Sequence, residues 1–155
     1  MYRAHIKNLR SPSKALTLIE LLIAVLILVP LFAIGMQTFI KCMELSDLAK
    51  NSSLAVWGIK NRITTIENTV FSQIYNTYNN TTFTIPGLNG KGKTYINNTN
   101  PNHVIVTISF SWKERSGRII GEDKNLNGIL DAGEDTNGNG QLDSPVEMTT
   151  QIYNM

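Results

Sequence analysis

Between residues 122 and 147 the chain carries seven of its 12 acidic side chains, and their spacing is regular. Asp123, Asn125, Asn127, Asp131 and Glu134 place side-chain oxygens at positions 1, 3, 5, 9 and 12 of one stretch. Gly128 stands at position 6 and aliphatic Leu130 at position 8, and the backbone carbonyl of Ile129 completes a shell of oxygen donors. A calcium ion needs that combination: several hard oxygen ligands, a sharp mid-loop turn, and a closing carboxylate that binds through both oxygens. The pattern returns after 12 residues as Asp135, Asn137, Asn139, Gly140, Gln141, Leu142 and Asp143. In this copy position 12 is Val146 and the nearest acid is Glu147. The second set is therefore incomplete, and either binds more weakly or borrows a ligand such as Glu134.

The Asn-Gly pairs at 127–128, 137–138 and 139–140 also suit plain turns. Turns make no demand for acids at matched positions, however, and carboxylates so placed repel one another without a cation. Magnesium prefers fewer protein ligands and retained water, so it fits less well. The spacing resembles an EF-hand-type loop, although strands and Pro145 are expected at its flanks where a signalling EF-hand has helices. The tandem arrangement is similar to the calcium repeats of extracellular bacterial and adhesive proteins. With no helix pair to open, the resemblance implies a structural ion and not a sensor. The lone Cys42 allows no internal disulfide, so a metal is expected to tie this region down after export.

No other residues suggest chemistry. There is no G-x-S-x-G, no paired Cys and His, and no phosphate loop, and the two histidines, His5 and His103, are far apart. The expectation is a protein that is not an enzyme. Net charge is +2, but Arg3, Lys7, Arg10 and Lys14 all fall in the first 15 residues, with no acid among them. The remainder has 10 basic against 12 acidic side chains, a net of −2, so no basic stripe for nucleic acid is expected.

Residues 21–40 contain no charge at all. As a helix they span about 30 Å, the thickness of a bilayer's hydrocarbon core. The basic residues before them should stay in the cytoplasm and send the C-terminal part across. The apolar run is too long for a simple secretory signal peptide. Glu20 stands within the otherwise uncharged stretch from Leu16 to Met36, where an ionised carboxylate costs at least a few kcal/mol unless paired. No base on its own helix lies within the bilayer. Its partner should come from another chain or from a newly made N-terminus, unless the side chain snorkels to the headgroups.

The sequence Lys14-Ala15-Leu16-Thr17-Leu18-Ile19-Glu20-Leu21-Leu22-Ile23-Ala24-Val25 resembles the class III signal of type IV pilins and type II secretion pseudopilins. It departs from the usual pattern at Ala15, where glycine is common, and at Leu16, where phenylalanine is common. The resemblance implies cleavage by a prepilin peptidase between Ala15 and Leu16, followed by N-methylation of Leu16. It also implies that Glu20, at mature position five, pairs with the terminal amine of a neighbouring subunit during assembly. The implied partners are that peptidase, other pilin or pseudopilin subunits, an inner-membrane assembly platform and membrane lipid. The implied location is the inner membrane, with a single pass and a periplasmic or extracellular head, and then a filament. A different reading is an uncleaved single-pass anchor displaying a calcium-binding adhesive head.

These sites need elements to hold them. The expected organisation is a leader over 1–15, a transmembrane and assembly helix over 16–40, its continuation over 41–75, and a sheet-bearing head over 76–155. Leu54, Trp57, Ile63, Ile66, Val70 and Ile74 recur mostly at three- and four-residue steps, a stripe on which a sheet would pack. Pro30 and Gly35 could kink or locally open the membrane segment. Short strands are expected over Thr82–Ile85 and Lys93–Ile96. The clearest strand runs from His103 to Trp112, with Val104, Val106, Ile108, Phe110 and Trp112 on one face. His103, Thr107, Ser109 and Ser111 fall on the other face, with His103 in solvent. Arg118 to Ile120 adds a short continuation, and residues 146–153 alternate again. The expected fold class is α+β: a long N-terminal helix packed on a small antiparallel sheet, as in pilins, with the acidic segment an excursion between two strands.

Overall fold

A computed structural model describes residues 17–154, so the expected leader and the Ala15–Leu16 junction lie outside the described residues. Helix α1 (Leu18–Glu67) is followed by α2 (Phe71–Tyr78) and five strands. These are β1 (Thr81–Phe83), β2 (Gly90–Asn97), β3 (His103–Lys113), β4 (Ile119–Ile120) and β5 (Glu147–Tyr153). The class is α+β, with one long N-terminal helix and a small antiparallel sheet. The chain divides into two compact units after Lys41.

Over its described residues the first unit is the opening half of α1. Its large apolar side chains are all exposed, from Met36 at 49% to Leu18 at 83%. The helix runs unbroken through Pro30 and Gly35. A helix that is apolar on every side seeks an apolar environment on every side. With a mean hydropathy of 2.8 in its most apolar window, this one is long and apolar enough to cross a bilayer.

The second unit has the core. Ala55, Ile59, Ile63 and Ile66 of α1 are buried, one or two turns apart, against Val104, Val106, Ile108, Phe110 and Trp112 of β3. This buried stripe differs from the expected one. Trp57 and Val70 are 59% and 63% exposed, and Ala55 and Ile59 take the inward positions. Gly58 lets Ile85 lie directly on the helix, where a β-carbon would collide with the Ile85 side chain. Glu114 ties the layers together, accepting from Trp112 Nε1 on β3 and from Asn51 Nδ2 on α1.

The helix does not reach residue 75 in one piece. It ends at Glu67, where the ladder tightens to a bond from the Thr69 N–H to the Ile66 carbonyl at 3.0 Å, and Val70 leaves helical geometry at φ −56°, ψ 127° before α2 begins. Arg62 then closes the corner, donating to Thr81 Oγ1 at 3.0 Å beneath the ring of Tyr78. The first strand is Thr81–Phe83 and not Thr82–Ile85, because Ile85 leaves the sheet to pack on Gly58.

The sheet order is β1-β2-β3-β4, and β5 also pairs with β3. One edge of β3 is taken by β2, through pairs from Gly90↔Trp112 to Asn97↔Ile105. The other edge is shared end to end. β5 covers His103 to Ser109, and β4 covers Trp112 and Lys113. The acidic segment leaves this edge at β4 and returns to it at β5. It also covers part of the face expected to meet solvent: Ser109 and Ser111 are each 3% exposed. Ser109 Oγ donates to the Leu142 carbonyl, and Ser111 lies against Gly121. His103 is half-buried, its ring centroid 5.6 Å from that of Tyr153.

Candidate metal centre

The first loop is built around two buried carboxylates. Asp123 is 1% exposed, and its oxygens accept the backbone N–H groups of Asn127 at 3.1 Å and Gly128 at 2.8 Å. Glu134 is 3% exposed and closes the loop from its end. Its Oε1 accepts the N–H of Lys124, at position 2, and its Oε2 that of Asp131, at position 9. Asn125 and Asn127 point inward as well, each donating through Nδ2 to Asp131 Oδ2, at 2.7 and 2.8 Å. Those two amides hold the Asp131 carboxyl below its ordinary range. Gly128 takes φ +75°, the turn that position 6 requires.

The second loop repeats this wiring, with one further N–H, that of Gly138, on its first aspartate. Asp135 accepts from the N–H groups of Gly138, Asn139 and Gly140. Asn137 and Asn139 donate through Nδ2 to Asp143 Oδ2. Gly140 also takes φ +75°.

The closing carboxylate of the second loop is Glu122. Its Oε1 accepts the N–H of Thr136, at position 2, and its Oε2 that of Asp143, at position 9, both at 3.0 Å. These are the places that Glu134 fills in the first loop. Glu134, the expected loan to loop two, accepts one N–H of loop one at each oxygen, and the matching place in loop two is held by Glu122, from ahead of both loops. Burial raises the Glu122 carboxyl, but the Thr136 hydroxyl and the two N–H donors outweigh it and hold the group below its ordinary range. The signal was present in the sequence. The repeat begins one residue earlier than Asp, at Glu122-Asp123 and Glu134-Asp135, and each glutamate closes the other repeat.

Glu147 stands near this second site. Burial raises its carboxyl, and the neighbouring charges of Asp143 and Glu122 raise it further. Val146, at the nominal position 12, is buried in the core.

The loops dock on β2 and β3 by polar contacts. Lys93, 8% exposed, donates from Nζ to the Gly128 carbonyl at 2.8 Å. Burial lowers its ammonium and the charge of Asp123 partly restores it. The Tyr95 hydroxyl accepts the N–H of Leu142 at 2.8 Å. Burial raises that phenol, and the charges of Asp143, Asp123 and Glu122 add to the effect.

All of the expected donors, Asp123, Asn125, Asn127, Ile129, Asp131, Glu134, Asp135, Asn137, Asn139, Gln141 and Asp143, thus lie in two matched loops. Asp123, Glu134 and Asp135 rest on backbone amides and Asp131 and Asp143 on asparagine side-chain amides, and among the described residues no three acids, histidines or cysteines converge as a ready cluster. The donor chemistry nevertheless fits a hard cation, since every donor is an oxygen and each loop owns one carboxylate able to bind through two.

Glu20 is wired locally. Its Oε2 accepts the N–H and hydroxyl of Thr17 at 3.1 and 3.0 Å, while Thr17 Oγ1 accepts the Glu20 N–H at 3.4 Å. This is a capping box at the start of α1. No family model, no curated protein and no solved structure matches the chain.

Proposed function

We propose that the chain is a structural subunit of a type IV pilus or type II secretion pseudopilus, of the minor pilin or pseudopilin kind. The single observation that carries this reading is the opening of α1. A helix apolar on every side begins at Thr17 with one carboxylate, Glu20, inside a sequence that resembles the class III prepilin signal. In this reading a prepilin peptidase cuts between Ala15 and Leu16, and Leu16 is N-methylated. The helix holds the subunit in the inner membrane, then packs with other subunits, while Glu20 sets register against a neighbour's terminal amine.

The head carries two structural calcium ions. Asp123, Asn125, Asn127, Ile129, Asp131 and Glu134 supply the first. Asp135, Asn137, Asn139, Gln141 and Asp143 supply the second, with Glu122 as the closing carboxylate. The ions neutralise the acids that the loops gather and fix the excursion between β4 and β5. What supports this is the matched placing of donors and acceptors in the two loops, including the reciprocal glutamates.

The test is the intact mass of the native chain recovered from the cell envelope. A mass matching residues 16–155 plus one methyl group supports the filament subunit; a mass that keeps the leader rejects it. The second reading, an uncleaved anchor with a calcium-binding adhesive head, is favoured by one observation. Glu20 already has partners in Thr17, so its carboxylate does not depend on another chain.

A further inference from the structure

Strand β5 has little burial of its own. Its seven residues alternate between exposed and half-buried, whereas β3 beside it is mostly buried. Only Met148 and Ile152 reach the core. An edge strand with so few buried contacts opens at low free energy unless something else holds it.

Its attachments are concentrated just ahead of it, in residues 142–146. The Leu142 N–H donates to the Tyr95 hydroxyl, and the Leu142 carbonyl accepts from Ser109 Oγ. The Asp143 carbonyl accepts the Glu122 N–H at 2.8 Å, and the Asp143 N–H donates to Glu122 Oε2 at 3.0 Å. Ser144 Oγ donates to the Phe110 carbonyl at 2.6 Å, and the Val146 carbonyl accepts the Phe110 N–H at 3.2 Å. Four residues of this stretch, Leu142, Asp143, Ser144 and Val146, therefore tie the strand's entry to β2, to β3 and to Glu122. Two members of this tie, Glu122 and Asp143, also belong to the second cation set.

We propose that cation occupancy of the second loop locks β5 onto β3, an inference that rests on the calcium reading of the loops. An ion shared by Glu122 and Asp143 fixes the pair through which the entry to β5 is held. Without the ion, Glu147, the first residue of β5, places its negative charge beside those of Asp143 and Glu122 with no cation to offset them. The strand then frays from its Glu147 end. The Tyr153 end, tied by the Asn154 N–H to the Asn102 carbonyl at 2.9 Å, opens last.

Hydrogen exchange read by mass spectrometry tests this on the full chain in detergent micelles, with calcium or with chelator. Calcium should slow exchange across 147–153 by about tenfold or more, an opening free energy of ~1.4 kcal/mol, with the largest change at the Glu147 end. Glu122→Gln in calcium should lose that slowing while residues 123–134 stay protected. If calcium protects the loops but β5 exchanges equally in both conditions, the lock is overturned and the calcium reading stands. If calcium changes neither loops nor strand, the calcium reading fails and the lock falls with it.

Discussion

Glu122 and Asp143 hold each other twice: the Glu122 N–H donates to the Asp143 carbonyl at 2.8 Å, and the Asp143 N–H donates to Glu122 Oε2 at 3.0 Å. This pair seals the base of the acidic excursion and brings a residue from outside the second loop into its closing place. The sequence points to Glu147 as the nearest acid and to Glu134 as a borrowed ligand, whereas the hydrogen bonds put Glu122 in the closing position. Titration calorimetry of the full chain should find two calcium ions bound, and Glu122→Gln should leave one at comparable concentration. Glu147→Gln should leave both. Loss of an ion in Glu147→Gln alone would reverse the assignment.

Calcium removal should destabilise the head. A ligand held at a hundred times its Kd stabilises the fold by about 2.7 kcal/mol per site. Chelation should therefore lower the thermal midpoint of the full chain in detergent by several degrees. Glu134→Gln in calcium should reproduce about half of that fall, because it removes the bidentate group of loop one and leaves the second site. A midpoint indifferent to chelator would remove the metal from the account.

Glu20 has two roles to separate, and glutamine separates them. A capping box works with Gln as well as Glu, since either side chain accepts the Thr17 donors. A charge pair with a neighbour's amine needs the carboxylate. Glu20→Gln and Glu20→Ala should both leave processing intact and both lower incorporation into filaments. Filaments that take up Glu20→Gln at the normal level but reject Glu20→Ala would assign the residue to helix capping.

Gly58 is a packing glycine. Alanine is the better helix former by about 1 kcal/mol, yet its methyl would strike Ile85, which is 3% exposed and has little room to move. Overpacking of this kind costs about 1–3 kcal/mol, so Gly58→Ala should lower stability by about 1 kcal/mol net. Ile85→Val removes the colliding tip, and the double variant should recover part of the loss. Equal midpoints for wild type and Gly58→Ala would show that the helix and the Ile85 turn yield freely.

Much of this architecture is legible in the residues. The alternation through Val104, Val106, Ile108, Phe110 and Trp112 marks β3, since a half-buried strand has a period of two. The uncharged run after Glu20 marks the exposed half of α1 by length alone. Trp57 misleads because size and apolarity suggest burial, whereas helix geometry selects Ala55 and Ile59, which lie four apart and on the sheet side. Ser109 and Ser111 mislead for another reason. Polar residues on a strand predict solvent, but here a distant segment covers them and gives Ser109 a carbonyl partner. Within the candidate site the loop positions are readable and the docking is not. Lys93 and Tyr95 belong to a strand far away in sequence, and nothing in their own neighbourhood announces the contacts with Gly128 and Leu142.

The exchange of glutamates interleaves the two repeats, each carrying the carboxylate that closes the other's loop. Glu134 ends one and heads the next, and Glu122 reaches past the first to close the second. Excising residues 134–145 would remove the partner that completes the remaining loop and leave Glu122 facing no counterpart. Half of the excursion is thus not a smaller version of the whole.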